Sequence, residues 1–232
     1  VKEGERLRRK TLSILLFVVL VFSSVSIMLS ISATETKILN PISDSYVDST
    51  GPYANYGREE ALKISDSGTF IRGSKFLAFL LFDLSAIPED AMIDSVTLQV
   101  YCQYLAEAHR IGVHYCSDNS WKEYEITWNN MPKFKDSATS VTTVENAMTW
   151  YNWTVTDDVK TSFKIAEKLT LVLKSEDFHE ANARVSLYSR DHQCVFVRRY
   201  SPKLVINYTR PLWATLYQKI GYQLSNPTLD DE

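Results

Sequence analysis

Histidines and carboxylates carry most catalysis and metal binding, and in this chain their spacing builds no catalytic motif. His109, His114, His179 and His192 are scattered, and none stands in a His-Glu-x-x-His run that would present two imidazoles on one helix face. No Gly-x-Ser-x-Gly nucleophile turn occurs. The 28 acidic residues include pairs that could meet as the acid and base of a glycosidase, but nothing in their spacing selects any two. The expectation is therefore a protein that is not an enzyme. Asp44 and Asp48 are candidate ligands for a structural calcium, because hard cations take clustered carboxylate and carbonyl oxygens. Cysteine spacing offers no structural zinc site.

Binding chemistry has more candidates. A flat aromatic ring covers the apolar face of a sugar while polar groups take its hydroxyls, and Tyr53, Tyr56, Trp121 and Trp150 stand near turns or strand ends where they could do so. Trp128 and Trp153 read as core. The basic candidates are Arg72, Lys75, Arg184, Arg190, Arg198 and Arg199; the last two, beside Tyr200, would make a local anion site, and Arg190 also suits a structural ion pair. Asn152-Trp-Thr154 and Asn207-Tyr-Thr209 fit the N-glycosylation acceptor pattern.

Composition indicates the scaffold that must position these residues. The chain has 232 residues, 45% hydrophobic and 23% charged, rich in tyrosine and phenylalanine and poor in glycine and proline. That favours a single aromatic-rich β domain. Ahead of it, Lys2, Arg6, Arg8, Arg9 and Lys10 precede an apolar stretch from Leu12 to Phe22, small serines, and Ile27 to Ala33. Residues 1–33 read as an export signal peptide, or as a membrane anchor if retained. The chain beyond residue 33 is expected outside the cell, secreted or anchored at the outer face of the membrane, with membrane contact only through the N-terminal segment. Without the five basic and two acidic side chains of that segment, the formal charge goes from −3 to −6. So acidic a domain is a poor partner for nucleic acid. In an oxidising compartment Cys102 and Cys116, on two segments that read as arms of a hairpin, are the expected disulfide, with three buried thiols as the other reading.

From Thr34 onward the chain reads as short β runs between turns: Ser45 to Asp48, Ala61 to Ser65, Phe76 to Phe82, Ile93 to Gln103, Ile111 to Cys116, Glu125 to Trp128, Trp153 to Val155, Leu169 to Lys174, Val185 to Ser189 and Lys203 to Tyr208. In Ser95 to Tyr101 the alternation places Val96, Leu98 and Val100 on one face and Thr97, Gln99 and Tyr101 on the other. One or two helical turns are expected after Thr156, which reads as an N-cap before Asp157 and Asp158. The fold class is all-β, an antiparallel sandwich of jelly-roll type.

Several stretches in order carry a resemblance. Asp44-Ser-Tyr-Val-Asp48, Asn55-Tyr-Gly57 leading to Ala61-Leu-Lys-Ile64, Leu80-Leu-Phe-Asp-Leu-Ser-Ala-Ile-Pro88 leading to Ile93-Asp-Ser-Val-Thr-Leu98, Thr127-Trp-Asn-Asn-Met-Pro132, Trp153 to Val159, Leu187-Tyr-Ser-Arg190 and Pro202 to Tyr208 together resemble the DNRLRE domain. This extracellular β-sandwich occurs in disaggregatase-related repeats and in a family of carbohydrate-binding modules. The resemblance spans about residues 38 to 209 of the domain at 34–209 and implies a noncatalytic jelly roll that binds polysaccharide. Two alternatives are a structural or adhesive surface protein working through protein contacts and a polysaccharide-cleaving enzyme related to disaggregatase.

The run Lys75 to Asp83, KFLAFLLFD, is apolar at every position between its charged ends. As a strand it places Phe76, Ala78, Leu80 and Phe82 on one face and Leu77, Phe79 and Leu81 on the other, and one of these sets forms the core. The family commonly has arginine or lysine where Leu77 and Leu81 stand, so the outward face here is apolar and needs a cover. The tail at 210–232 supplies a candidate, because Leu212, Trp213, Leu216, Tyr217 and Ile220 fall at helical spacing.

Overall fold

The structure, a computed structural model, describes residues 32–68, 73–179, 183–191 and 200–211. The N-terminal apolar segment, Arg72, Cys194, Arg198, Arg199 and the tail from residue 212 lie outside the described residues.

Residue contacts divide the chain into a larger unit, residues 36–88 and 93–207, and a smaller one, residues 1–35, 89–92 and 208–232. Within the smaller unit the Tyr208 hydroxyl donates to Glu35 at 2.8 Å, and Arg210 pairs with Asp90 at 2.9 Å.

Among the described residues, eleven strands and one helix occur in order: β1 (Ser32–Leu39), β2 (Ser43–Asp48), β3 (Ala61–Gly68), β4 (Gly73–Asp83), β5 (Met92–Leu105), β6 (His109–Cys116), β7 (Ser140–Val144), β8 (Thr149–Thr154), α1 (Thr156–Ile165), β9 (Lys168–Ser175), β10 (Val185–Tyr188) and β11 (Lys203–Pro211). The protein is thus mostly β, as expected. Glu125 to Trp128 is a turn region rather than a strand, while β1 and β7 are strands that composition did not announce. Helix α1 begins where expected, but Thr156 is its first residue and not its cap. Val155 holds the cap position without a side-chain bond, and the Thr156 hydroxyl accepts from Val96 N–H at 2.9 Å.

The strands form one curled sheet in the order β1-β11-β5-β10-β3-β4-β9-β6-β7, with β2 on β4 and β8 on β5. Strand β3 makes the curl: Ala61 to Ile64 pair with β10, and Ser65 to Gly68 pair with β4. The two halves face each other across a core. Val96, Leu98 and Val100 of β5 and Trp153 of β8 fill it from one side, and Ala78, Leu80 and Phe82 of β4 from the other, all buried. The Trp153 indole N–H donates to the Ile111 carbonyl at 2.8 Å, joining β8 to β6.

Both faces of β4 are buried. Leu77 and Phe79 pack with Val47, Val172, Cys116 and Ile126, and against them lie Trp121, Trp128, Met131 and Phe134. The cover is therefore supplied by the segment between β6 and β7. The Trp121 and Phe134 rings meet Phe79 edge-on at 6.0 and 6.2 Å, the favoured geometry for aromatic quadrupoles.

The expected disulfide does not form. Cys102 and Cys116 are buried free thiols. The hairpin premise fails because β5 pairs with β8 and β10 whereas β6 pairs with β7 and β9, so the two consecutive strands never sit side by side. Cys102 Sγ–H is directed at the Tyr104 carbonyl, and burial pushes its thiol up to about 11.

Candidate functional site

Antiparallel register decides which side chains share a wall. Ser65 stands opposite Phe76 and Ser67 opposite Ser74, so these four point to one face, the same face as Ala78 and Leu80 further along β4. At this end the row turns polar and the core gives way to a cavity of about 440 Å³. Its walls are Thr50, Ser65, Ser67, Ser74 and Phe76, with Gly68, Gly73, Ala183 and the exposed Arg184. The hydroxyls are linked: Ser65 Oγ–H is within bonding distance of both the Ala183 carbonyl and Ser67 Oγ, and Ser67 Oγ lies 3.5 Å from Ser74 Oγ. Each hydroxyl carries one donor and two acceptor lone pairs, so a linked row keeps capacity for an incoming polyol. Phe76 is half-buried, edge-on to Tyr46, and Arg184 adds a cation with five N–H donors.

The residues expected to bind are dispersed by the fold. Tyr53 is 84% exposed on the β2–β3 loop. Tyr56 stacks on Tyr46 with centroids 4.3 Å apart, and its hydroxyl donates to Asp48. Trp121 is part of the cover, its indole N–H donating to Thr170 at 3.1 Å. Trp150 meets Tyr101 edge-on at 5.4 Å, in a group with Tyr188 and Tyr200, and Lys203 Nζ stands 4.3 Å over its ring. Lys75 is an exposed partner of Asp66. Of the basic candidates among the described residues, only Arg184 reaches the cavity. Asn152 is exposed on β8. The Asn207 amide is held between Thr36 and Ser95.

Arg190 serves an ionic junction. Its guanidinium lies 3.2 Å from Glu123 and 3.3 Å from Asp191, and also donates to the Ile42 carbonyl. Its backbone N–H and the Ser189 hydroxyl each donate to Asp44 at 2.8 Å, and Asp44 N–H donates to Glu123 at 2.8 Å. Asp44, Glu123 and Asp191 are the one group among the described residues whose carboxylates lie close enough to close on a cation. Asp48 is elsewhere, its oxygens taken by the Thr50 turn.

Burial, the largest influence, pushes the Asp44 carboxyl up to about 7, against the lowering effect of the Arg190 and Ser189 bonds. Unfolded aspartic acid titrates near 3.9, so between roughly pH 4 and 7 the folded chain holds a proton that the unfolded chain releases. The stabilisation is complete below about pH 4 and is lost as pH rises through 7. Asp44→Asn removes this dependence. Urea unfolding at pH 5 and pH 8 is expected to show the variant gaining roughly 1–4 kcal/mol on the wild type between the two, at about 1.36 kcal/mol per pK unit. Parallel pH profiles for the two proteins would contradict a buried, protonated Asp44.

The chain belongs to carbohydrate-binding module family 96, whose model matches residues 35–208. The match agrees with the resemblance to the DNRLRE domain at the level of a carbohydrate-binding β-sandwich. No curated protein matches the chain.

Proposed function

We propose that this family 96 module is a noncatalytic jelly roll that works outside the cell and holds a polysaccharide by a sugar seated in the cavity between β3 and β4. The observation that carries the reading is the content of that cavity: four hydroxyl side chains, one aromatic ring and one guanidinium in a space of about 440 Å³. This is the complement a sugar asks for, donors and acceptors for hydroxyls and a ring for the C–H face. Ser65, Ser67, Ser74 and Thr50 take the hydroxyls, Phe76 stacks, and Arg184 binds oxygens that a serine cannot reach. The basic, then apolar, N-terminal sequence supports export. A structural calcium ion would be held by Asp44, Glu123 and Asp191, displacing the Asp44 proton, at the junction where Arg190 balances part of the charge.

The test is calorimetric titration of the full chain with neutral and uronic-acid oligosaccharides at two salt concentrations. Phe76→Ala and Arg184→Ala are each expected to weaken binding about tenfold or more, the loss of one good contact at about 1.4 kcal/mol per decade. Salt should weaken binding of uronic chains more than neutral ones if Arg184 pairs with carboxylates. Binding that both variants retain in full would place the sugar elsewhere. The absence of binding to any saccharide would remove the reading.

A further inference from the structure

The sequence holds two usable N-glycosylation acceptor runs, Asn152-Trp-Thr154 and Asn207-Tyr-Thr209; in Asn226-Pro-Thr228 the middle proline bars the reaction. Both usable runs lie in strands, β8 and β11. The period of a strand puts the asparagine and the threonine of such a run on one face and the residue between them on the other. The fold nevertheless treats the two runs in opposite ways.

On β8 the middle residue does the packing. Trp153 is 1% exposed and stands opposite Leu98 in the core, while Asn152 and Thr154 are both exposed, opposite Gln99 and Thr97 on the outer face of β5. The Asn152 backbone is held, its carbonyl accepting from the Thr142 hydroxyl at 2.6 Å. Its side-chain amide has no hydrogen-bond partner among the described residues and stands in solvent. A sugar on its nitrogen therefore breaks no contact.

Strand β11 lies between β1 and β5, and Asn207 is half-buried there. Its amide nitrogen donates to the Ser95 hydroxyl of β5 at 3.1 Å, and its oxygen accepts from the Thr36 hydroxyl of β1 at 2.8 Å. Both ends of the amide are engaged, with one neighbour on each side. A sugar on that nitrogen would have to enter between the two hydroxyls and part these bonds.

We propose that Asn152, and not Asn207, carries an N-linked glycan in the folded protein, a modification that rests on the export reading given under Proposed function. The co-reactant is an oligosaccharide carried on a polyprenyl phosphate or diphosphate. The Asn152 amide nitrogen forms a bond to the anomeric carbon of the first sugar, and the bond from that carbon to the lipid phosphate oxygen breaks. The phosphate leaves with the electron pair, and the amide gives up one proton and keeps one N–H. Transfer acts on the extended chain before it folds, and the fold then selects what it can carry: a glycan at Asn152 projects from the outer face, whereas one at Asn207 obstructs the docking of β11 between its neighbours. The saccharide cavity has no residue from β5, β8 or β11 in its walls, so its binding is expected to be the same with and without the glycan.

The full chain with its own N-terminal segment would be expressed in a host whose export route N-glycosylates a reporter protein in parallel. Exported, folded protein would be digested with trypsin and the peptides 136–160 and 204–219 sequenced by mass spectrometry. The expected result is a glycan at Asn152 on the first peptide and none on the second. The gain in intact mass should be lost in Asn152→Gln and also in Thr154→Ala, which keeps the asparagine but removes the acceptor hydroxyl, and should persist in Asn207→Gln. The peptide map of the wild-type chain decides the matter even where a variant fails to fold. An exported chain bare at Asn152 would overturn the proposal and leave the export reading standing, and a glycan at Asn207 of the folded protein would overturn it as well. A bare chain retained inside the cell would overturn the proposal and the export reading together.

Discussion

Gly57→Ala is expected to cost about 3 kcal/mol or more of unfolding free energy, although it adds a single methyl group. A Cβ built at Gly57 would lie 2.1 Å from the Glu123 carbonyl oxygen and 2.7 Å from its carbon, closer than any real contact. The obstacle is backbone, so no side-chain rotation relieves it. Gly57 does not have a positive φ, and its role is close approach rather than conformational freedom. Moving Glu123 aside would stretch the Asn55 amide bond to its carbonyl at 2.8 Å, the Asp44 N–H bond to its carboxylate at 2.8 Å and the Arg190 ion pair at 3.2 Å. Overpacking alone costs typically 1–3 kcal/mol, and breaking a buried polar network adds to it. Urea unfolding measures the sum, and a change within about 0.5 kcal/mol of wild type would show that the loop can retreat freely.

Phe79→Ala should cost about 3–5 kcal/mol, the usual loss for emptying a buried phenylalanine site. Phe79 has no exposure and stands between the edges of Trp121 and Phe134. Its removal takes away the surface on which the β6–β7 segment is seated. Trp121 would then lose packing while keeping its bond to Thr170, so tryptophan fluorescence should shift to the red and protease should cut within residues 117–139 before the strands unfold. Tyr53→Ala, at an 84% exposed position, is the control and should fall within about 0.5 kcal/mol. Equal stabilities for the two variants would mean that the segment is held by its own hydrogen bonds.

The apolar run in β4 shows how far sequence reading goes. Alternation correctly sends Phe76, Ala78, Leu80 and Phe82 to one face and Leu77, Phe79 and Leu81 to the other, and the lack of any polar position announces that both faces are covered. Alternation does not name the cover, because the Trp121 to Phe134 segment has no periodicity of its own and is ordered by what it lies on. Phe76 belongs by period to a core row, yet it lies where that row opens into a cavity; strand period gives the face, and only register against Ser65 gives the neighbour. The pairing of Cys102 with Cys116 as a disulfide fails for the same reason. Adjacency in sequence suggests adjacency in space, but the curl at β3 separates the two strands into different halves of the sheet.

By itself the sequence determined what depends on short-range sterics and solvation: alternating strands such as Val96, Leu98 and Val100, the acidic first turn of α1, the buried Trp153, and the ordered motifs of a carbohydrate-binding β-sandwich. Tertiary structure decided everything that requires distant residues to meet. Asp44 meets Arg190, Ser67 meets Ser74 across a hairpin, and His109 stacks on His179 only after β6 and the β9–β10 connection are packed. Such meetings are fixed by sheet register and core packing, which are free energies of the whole chain, and no local stretch of residues encodes them.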